Sequence, residues 1–364
     1  MARPSSARLL GAVFAVVAFS RPVAGHVDYV TDGPGPAVDA LAFAIDVLSN
    51  PFNAALFGGL GLLTLIGIAG YLWVRPTIPD VVVLRNTLAG YADLVPWMVR
   101  LSVGLPLVGA GFQGYLFAPT VAFDLTANST VRVLFIGLGF LLLFGLAVRI
   151  ASTVGLLTYG WALTVDPAVV IAMEFAPAFL ALVILGGGRP SADQMLQEVA
   201  STEGTIYGRF DPVHHLKRFL DEVTAPYRQY VPVVLRVGVG ATFVYLGLVQ
   251  KLATPGSALL VVEKYDLTAV VPVDPGLWVL GAGVTEVAVG LVFILGLFTR
   301  GAAAVSFLLF TTTLFGLPDD PVLVHVTLYG LVSALFTLGA GPLSLDNWFG
   351  RPAVADDEAA ALAD

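Results

Sequence analysis

Cysteine is absent from the 364 residues. That excludes disulfides, thiolate metal sites and any thiol or persulfide chemistry on the chain itself. Charge is also scarce, at 12% of residues, against about 25% in an ordinary soluble domain. Only four histidines are present, and His214–His215 is an adjacent pair that cannot present both rings to one helix face. No metal-ligand spacing arises, and no metal is expected. The glycines of GGGRP and FGGLGLLTLIG lie in or beside apolar runs rather than after a strand, which excludes a nucleotide-binding loop. Lysine accounts for three of the 18 basic residues and the net charge is -8, a composition like that of proteins adapted to high salt. No nucleic-acid partner is expected.

What fills the chain instead is apolar sequence, 57% of it. Runs long enough to cross hydrocarbon lie at about 52–74, 95–117, 131–148, 150–165, 167–185, 232–252, 276–299, 302–317 and 321–339, several near the lower limit of roughly 17 residues. These nine spans predict an all-α integral membrane protein whose first partner is the lipid bilayer. Ahead of them, Arg3 and Arg8 precede LLGAVFAVVAF and then Val23-Ala24-Gly25. That core is too short to span and ends in small residues, the pattern of a cleaved leader over 1–25. The mature chain then begins at His26, outside the cell membrane, as an arm over 26–51 that reads as short and exposed because VDYVTDGPGP is polar and turn-rich. A free amino terminus beside an imidazole is also a weak copper motif.

The basic residues set the orientation. Arg75, Arg85, Arg149, Arg189, Arg209, Lys217, Arg218, Arg228, Arg300 and Arg351 all fall on one side if the amino terminus is outside, which places the carboxyl terminus in the cytoplasm. The loop 186–231, of which 191–231 is the amphipathic part, contains PSADQMLQEVAS and HHLKRFLDEV, which read as amphipathic surface helices on that side. The tail over 349–364 is acidic and built of small residues, and reads as disordered.

Self-similarity organises the rest. MVRLSVGLPLVGAGFQGYLFAP, from Met98, matches VLRVGVGATFVYLGLVQKLATP, from Val234. Arg100 falls over Arg236, Arg149 over Arg300, and Asp166-Pro167 over Asp320-Pro321. Each copy holds four spans, an even number, so both have the same topology and pack as a parallel pair. The span 52–74 stands outside the repeat.

The repeat supplies an internal control. Where the second copy has Lys251, Glu286 and His325, the first has Tyr115, Phe135 and Ile171. A residue set needed for packing would be needed twice, so these three point to function. Glu286 sits in GAGVTEVAVG with Gly283 and Gly290 on its helix face, about 15 Å into its span. A carboxylate at that depth costs several kcal/mol unless paired or protonated. Lys251 and His325 belong to the same outer half, beside the acidic outer loops with Asp266, Asp274, Asp319 and Asp320. Arg100 and Arg236 occur in both copies and read as snorkelling or loop-pairing arginines, and Arg149 and Arg300 as positive-inside anchors. Glu174, in the first copy alone, is a candidate partner of Arg132, and Asn128-Ser129-Thr130 is a glycosylation acceptor pattern.

The second copy, with LRVGVGATFVYLGLVQKL and then VTEVAVGLVFILGLFTRGAAAV, resembles the DoxX family of four-helix membrane proteins over about Val234 to Leu345. The first copy resembles a degenerate unit of the same kind. The resemblance implies a DoxX-like unit at 232–348, a degenerate one at 95–190 and one extra transmembrane helix at 52–74, in a tandem of haloarchaeal type. It also implies a membrane subunit of a quinone-associated oxidoreductase complex, with an oxidoreductase partner subunit. On that reading no covalently bound cofactor is present, and membrane quinone is the candidate ligand. Glu286, His325 and Lys251 then act as proton acceptor, carbonyl donor and charge partner, while Arg236 and Glu286 hold the ligand. Because the chain carries no redox centre, electrons come from elsewhere. A non-catalytic scaffold and a small-solute or proton-coupled transporter are the alternatives, the latter suggested by the parallel repeat and Glu286.

Overall fold

The apolar runs fold as helices in the computed structural model, which describes residues 26–31, 35–74, 76, 78–125, 128–210 and 219–349. The expected leader, the acidic tail beyond Phe349, His214–His215, Arg75, Lys217 and Arg218 lie outside the described residues. The main helices are α1 (His26–Val30), α2 (Ala40–Ser49), α3 (Pro51–Val74), α4 (Pro79–Ala89), α5 (Val95–Gln113), α6 (Ser129–Phe144), α7 (Val148–Val165), α8 (Phe175–Leu185), α9 (Ala192–Ser201), α10 (Val231–Gly247), α11 (Pro255–Lys264), α12 (Pro275–Leu295), α13 (Thr299–Gly316) and α14 (Val322–Leu338). Proline stands in the first turn of α4, α5, α10, α11 and α12, where its missing N–H would have had no intrahelical partner.

Among the described residues, five helical stretches are long and apolar enough to cross a bilayer, and four shorter apolar helices accompany them. Nine spans were expected, several of them near the lower length limit, and one of them is interrupted. The expected span 167–185 is broken: Pro167–Ala172 is a 3-10 segment capped by the Asp166 side chain, and regular helix resumes only at Phe175. Val169, Ile171 and Ala172 in that segment are buried, which is how irregular backbone is tolerated at membrane depth. The expected arm over 26–51 is exposed along much of its described length but docks at two places. Val27 and Val30 are buried against Val261, and Val47 of α2 packs on Leu277 and Leu280 of α12. In α3 only Asn53 is buried, as befits a helix apolar on every side that faces lipid.

Two helix sets share one core. α5 packs against α6 and α8 within its own set and against α14 of the other; α10 packs against α12 and α14, and against α8 of the first set. The tightest crossings use glycine. A Cβ placed on Gly240 would lie 2.6 Å from the Gly290 carbonyl oxygen, and one on Gly290 would lie 2.6 Å from that of Gly240. Gly104 and Gly139 meet in the same way between α5 and α6. Small residues let backbones approach where lipid offers no hydrophobic drive. Gly290→Ala is therefore expected to cost about 1–3 kcal/mol by overpacking. Gly281→Ala on the same helix meets nothing within 4 Å and should leave the thermal midpoint unchanged, so equal midpoints for the two variants would contradict this account.

One end of the bundle is closed by arginines. Arg100 donates to the carbonyls of Leu142, Leu143, Gly187 and Pro190. Arg236 donates to those of Phe293, Ile294, Ala340, Pro342 and Leu343. These are carbonyls at helix ends and in the loops beyond, which have no intrahelical partner. Both guanidinium groups are buried, so these arginines pair with loops rather than snorkel. Arg149 bonds the Val183 and Ile184 carbonyls and Asp221, and Arg300 bonds those of Phe336 and Thr337. They tie helix ends together. At the same end Asp193 accepts from the Ala147 and Val148 N–H groups, and Asp346 from those of Phe298 and Thr299, each carboxylate complementing a helix N-terminus.

Candidate functional site

Lys251 owes its position to a change of helix type. After Gly247, α10 continues as a π-helical turn over Leu248–Leu252, closed by Ala253 N–H donating to the Leu248 carbonyl. The wider turn alters the register of everything beyond it, and π turns of this kind gather at functional sites. In the first set α5 simply stops at Gln113, with Gly114 left-handed. The partner helix α12 starts from a firm cap: Asp274 accepts from the N–H groups of Gly276 and Leu277. Glu286 then lies about 16 Å along α12.

The two side chains meet. Lys251 Nζ donates to Glu286 Oε1 at 2.8 Å and to Oε2 at 2.7 Å, so both carboxylate oxygens are engaged by one ammonium. The pair is 19% and 23% exposed. The exposure faces a cavity of about 720 Å³ at the end of the bundle opposite the arginines. Its walls are mostly apolar, from α10 to α14, and are completed by Val27, Val30 and the Leu56, Phe57 and Leu60 turns of α3. His325, in the first turn of α14, reaches the same cavity. Its Nε2 is 3.5 Å from Asp320 Oδ2, its Nδ1 is 3.4 Å from the Pro321 carbonyl, and its ring stands edge-on to Phe310. Asp320 sits in the loop before α14, 4% exposed, and its Oδ1 has no hydrogen-bond partner among the described residues. Burial pushes this carboxyl up to about 7, opposed by the nearby Lys251 ammonium.

The corresponding region of the first set is filled. Phe117, at φ 58°, packs its ring 4.9 Å from Phe135, 5.2 Å from Tyr159 and 5.1 Å from Phe175. Tyr115, Phe135 and Ile171, the counterparts of Lys251, Glu286 and His325, are all buried. The loop that supplies Phe117 is pinned by Leu116 N–H donating to the Val121 carbonyl and Phe123 N–H to that of Gly114.

Lys251, Glu286 and His325 are thus brought together, and Arg236 is not. It was expected to hold a cofactor, but it lies at the closed end with its donors spent on carbonyls. The suggested Glu174–Arg132 pair does not form either: Glu174 is buried with Oε2 unpartnered among the described residues, while Arg132 lies over the Phe112 ring. Two contributions went unread in the sequence, the Asp320 carboxyl and the cavity wall from residues 27–60. Asp320 left no signal there, because its counterpart Asp166 is the same residue; the two differ in that Asp166 accepts from the Ala168 N–H and Asp320 makes no such cap.

Searches of curated proteins and of solved structures found no match to the chain. The DoxX family model matches residues 231–325, starting at the first residue of α10 and stopping at His325 rather than near Leu345. Lys251, Glu286, Asp320 and His325 all lie within the stretch that matches the DoxX family model, in a chain with several helices long and apolar enough to cross a membrane.

Proposed function

We propose that the chain is a tandem DoxX subunit of a quinone-associated membrane oxidoreductase complex, and that its second unit holds the quinone. The tandem reading is supported by the counterpart bonds of Arg100 with Arg236, Arg149 with Arg300 and Asp193 with Asp346. The arginine-closed end is then cytoplasmic and the cavity opens towards the outer half. The observation that carries the functional reading is a single one. Four ionisable side chains line one largely apolar cavity of about 720 Å³, within the range of small-molecule sites, where the first unit has packed aromatic rings.

The residues fit such a ligand. A quinone, when bound, supplies two-electron, two-proton carrier chemistry in a lipid-soluble body. The protein side of that chemistry is hydrogen bonding and proton exchange. Glu286 and His325 offer groups that hold or release a proton, Lys251 holds the Glu286 charge in place, and the leucine, valine and phenylalanine walls accept the ring. Arg236 has no part in this.

Binding of decyl-ubiquinone to the purified protein in lipid tests the reading through quenching of Trp278, which lines the cavity. The wild type is expected to bind. The double variant Lys251→Met/Glu286→Gln is expected to stay folded and bind at least about tenfold more weakly. A wild type that ignores the quinone, or a double variant that binds it equally well, would remove the support for the site.

A further inference from the structure

We propose that Asp320 is the ligand-facing proton acceptor of the cavity, and that it selects a ligand bearing a phenolic hydroxyl, the reduced form of the quinone class. This rests on the quinone reading above and assigns the role to a carboxylate the sequence left in an outer loop.

The two pairs in the cavity differ in what they have left to give. Glu286 already has its charge met, both oxygens accepting from Lys251, and keeps only a second lone pair on each for a ligand. Asp320 has one oxygen 3.5 Å from His325 Nε2 and the other without a partner, although the residue is 96% covered by protein. A buried acceptor left open costs free energy that a hydroxyl donor would return. A carbonyl oxygen, which only accepts, cannot return it to the ionised carboxylate, so the selection is read above about pH 7, where that form prevails.

The comparison within the chain points the same way. Asp166 and Asp320 occupy corresponding positions, each before a proline. Asp166 spends its carboxylate on the Ala168 N–H, 2.8 Å away, and starts the 3-10 turn. Asp320 performs no such duty, since α14 starts without a side-chain cap. The first unit, whose interior is filled, uses its aspartate for structure. The second unit, with a cavity, leaves it open.

The chemistry is a proton transfer and nothing more. The ligand's O–H bond breaks, an O–H bond forms at Asp320 Oδ1, and the electron pair stays on the ligand oxygen. His325 Nε2, beside Oδ2, is placed to share that proton. A carboxyl whose affinity for protons is raised by burial to near neutrality exchanges them at little cost in either direction. Lys251 on the π turn and Glu286 on α12 face the same space. Asp319, bonded to Lys264 and Tyr265, lies next to Asp320 in the loop.

The test compares duroquinol with duroquinone, under anaerobic conditions, on the full chain in lipid. Asp320→Asn removes the anionic acceptor with almost no change of shape. It is expected to weaken duroquinol binding about tenfold or more and to change duroquinone binding less than threefold. Asp166→Asn should alter neither affinity. His325→Gln should weaken duroquinol in the same direction but by less. If Asp320→Asn binds duroquinol as the wild type does, or loses both forms equally while still folded, the assignment is wrong and Asp320 only shapes the cavity. If the wild type binds neither form, the quinone reading fails first and takes this one with it.

Discussion

Replacing Arg236 with methionine is expected to leave little folded protein. The side chain is 2% exposed and supplies the donors for five carbonyls, those of Phe293 and Ile294 at the end of α12 and of Ala340, Pro342 and Leu343 beyond α14. Methionine fills part of the volume but donates nothing. In the membrane no water replaces the lost donors, and each orphaned buried carbonyl costs about 1–3 kcal/mol. Even with partial relaxation the loss reaches about 4 kcal/mol, a large share of the 5–15 kcal/mol that holds a domain together. Arg236→Lys should recover only a fraction, because a point charge with three donors cannot reproduce the guanidinium fork. Arg100→Met should behave similarly at the corresponding joint. Thermal unfolding in detergent decides the matter: an Arg236→Met midpoint within about 2 °C of wild type, the shift expected for roughly 1 kcal/mol in a chain of this size, would show that the carbonyls find other donors.

Much of this joint could be read from the chain, because Arg100 and Arg236 recur at matching positions near the start of a span. What could not be read was where the guanidinium goes. A basic residue near a helix start is compatible with headgroups and with loop carbonyls, and only the return of the chain at 340–343 supplies the second. The helices themselves were legible wherever apolar runs were long, and α9 was legible from Ser191 and the amphipathic pattern after it. The π turn at Leu248–Leu252 was not, since nothing in LVQKL distinguishes an i to i+5 bond from an ordinary turn. Nor was the broken span at Pro167–Ala172 foreseen, although Asp166-Pro167 is a cap followed by a first-turn proline. The filling of the first unit depends on Phe117 at positive φ, a conformation that sequence gives little reason to assign to phenylalanine. The cavity walls from Val27 to Leu60 escaped because they are contacts between distant segments, which periodicity does not encode.

The same limit applies to the site. Comparing the two self-similar stretches isolated Lys251, Glu286 and His325 as residues of the second alone, and on the tandem reading proposed above a shared fold cancels the packing requirement. It could not isolate Asp320, because Asp166 matches it in identity. The difference between the two aspartates lies in what each bonds, a property of the fold around them.

The Lys251–Glu286 pair yields the second large effect. Lys251→Met leaves a carboxylate, and Glu286→Gln an ammonium, in a mostly apolar cavity without the partner that made it tolerable. Breaking a buried pair on one side costs about 3–5 kcal/mol, and the partial exposure of both groups places the expectation at the lower end of that range. Removing both charges relieves the penalty, so the double variant Lys251→Met/Glu286→Gln is expected to be more stable than either single one and to lie within about 1.5 kcal/mol of wild type. The coupling energy from the cycle should therefore exceed about 2 kcal/mol, in the range found for contacting residues. Strict additivity would mean that the two side chains are separately solvated and do not meet. The cycle also separates stability from function, since a double variant that regains its midpoint without regaining the ligand carries the pair for binding, whereas one that regains both leaves the pair a structural strut. The prediction is the first outcome, because on the tandem reading proposed above a pair kept only for packing would have a counterpart in the first unit, and Tyr115 and Phe135 stand at those positions instead.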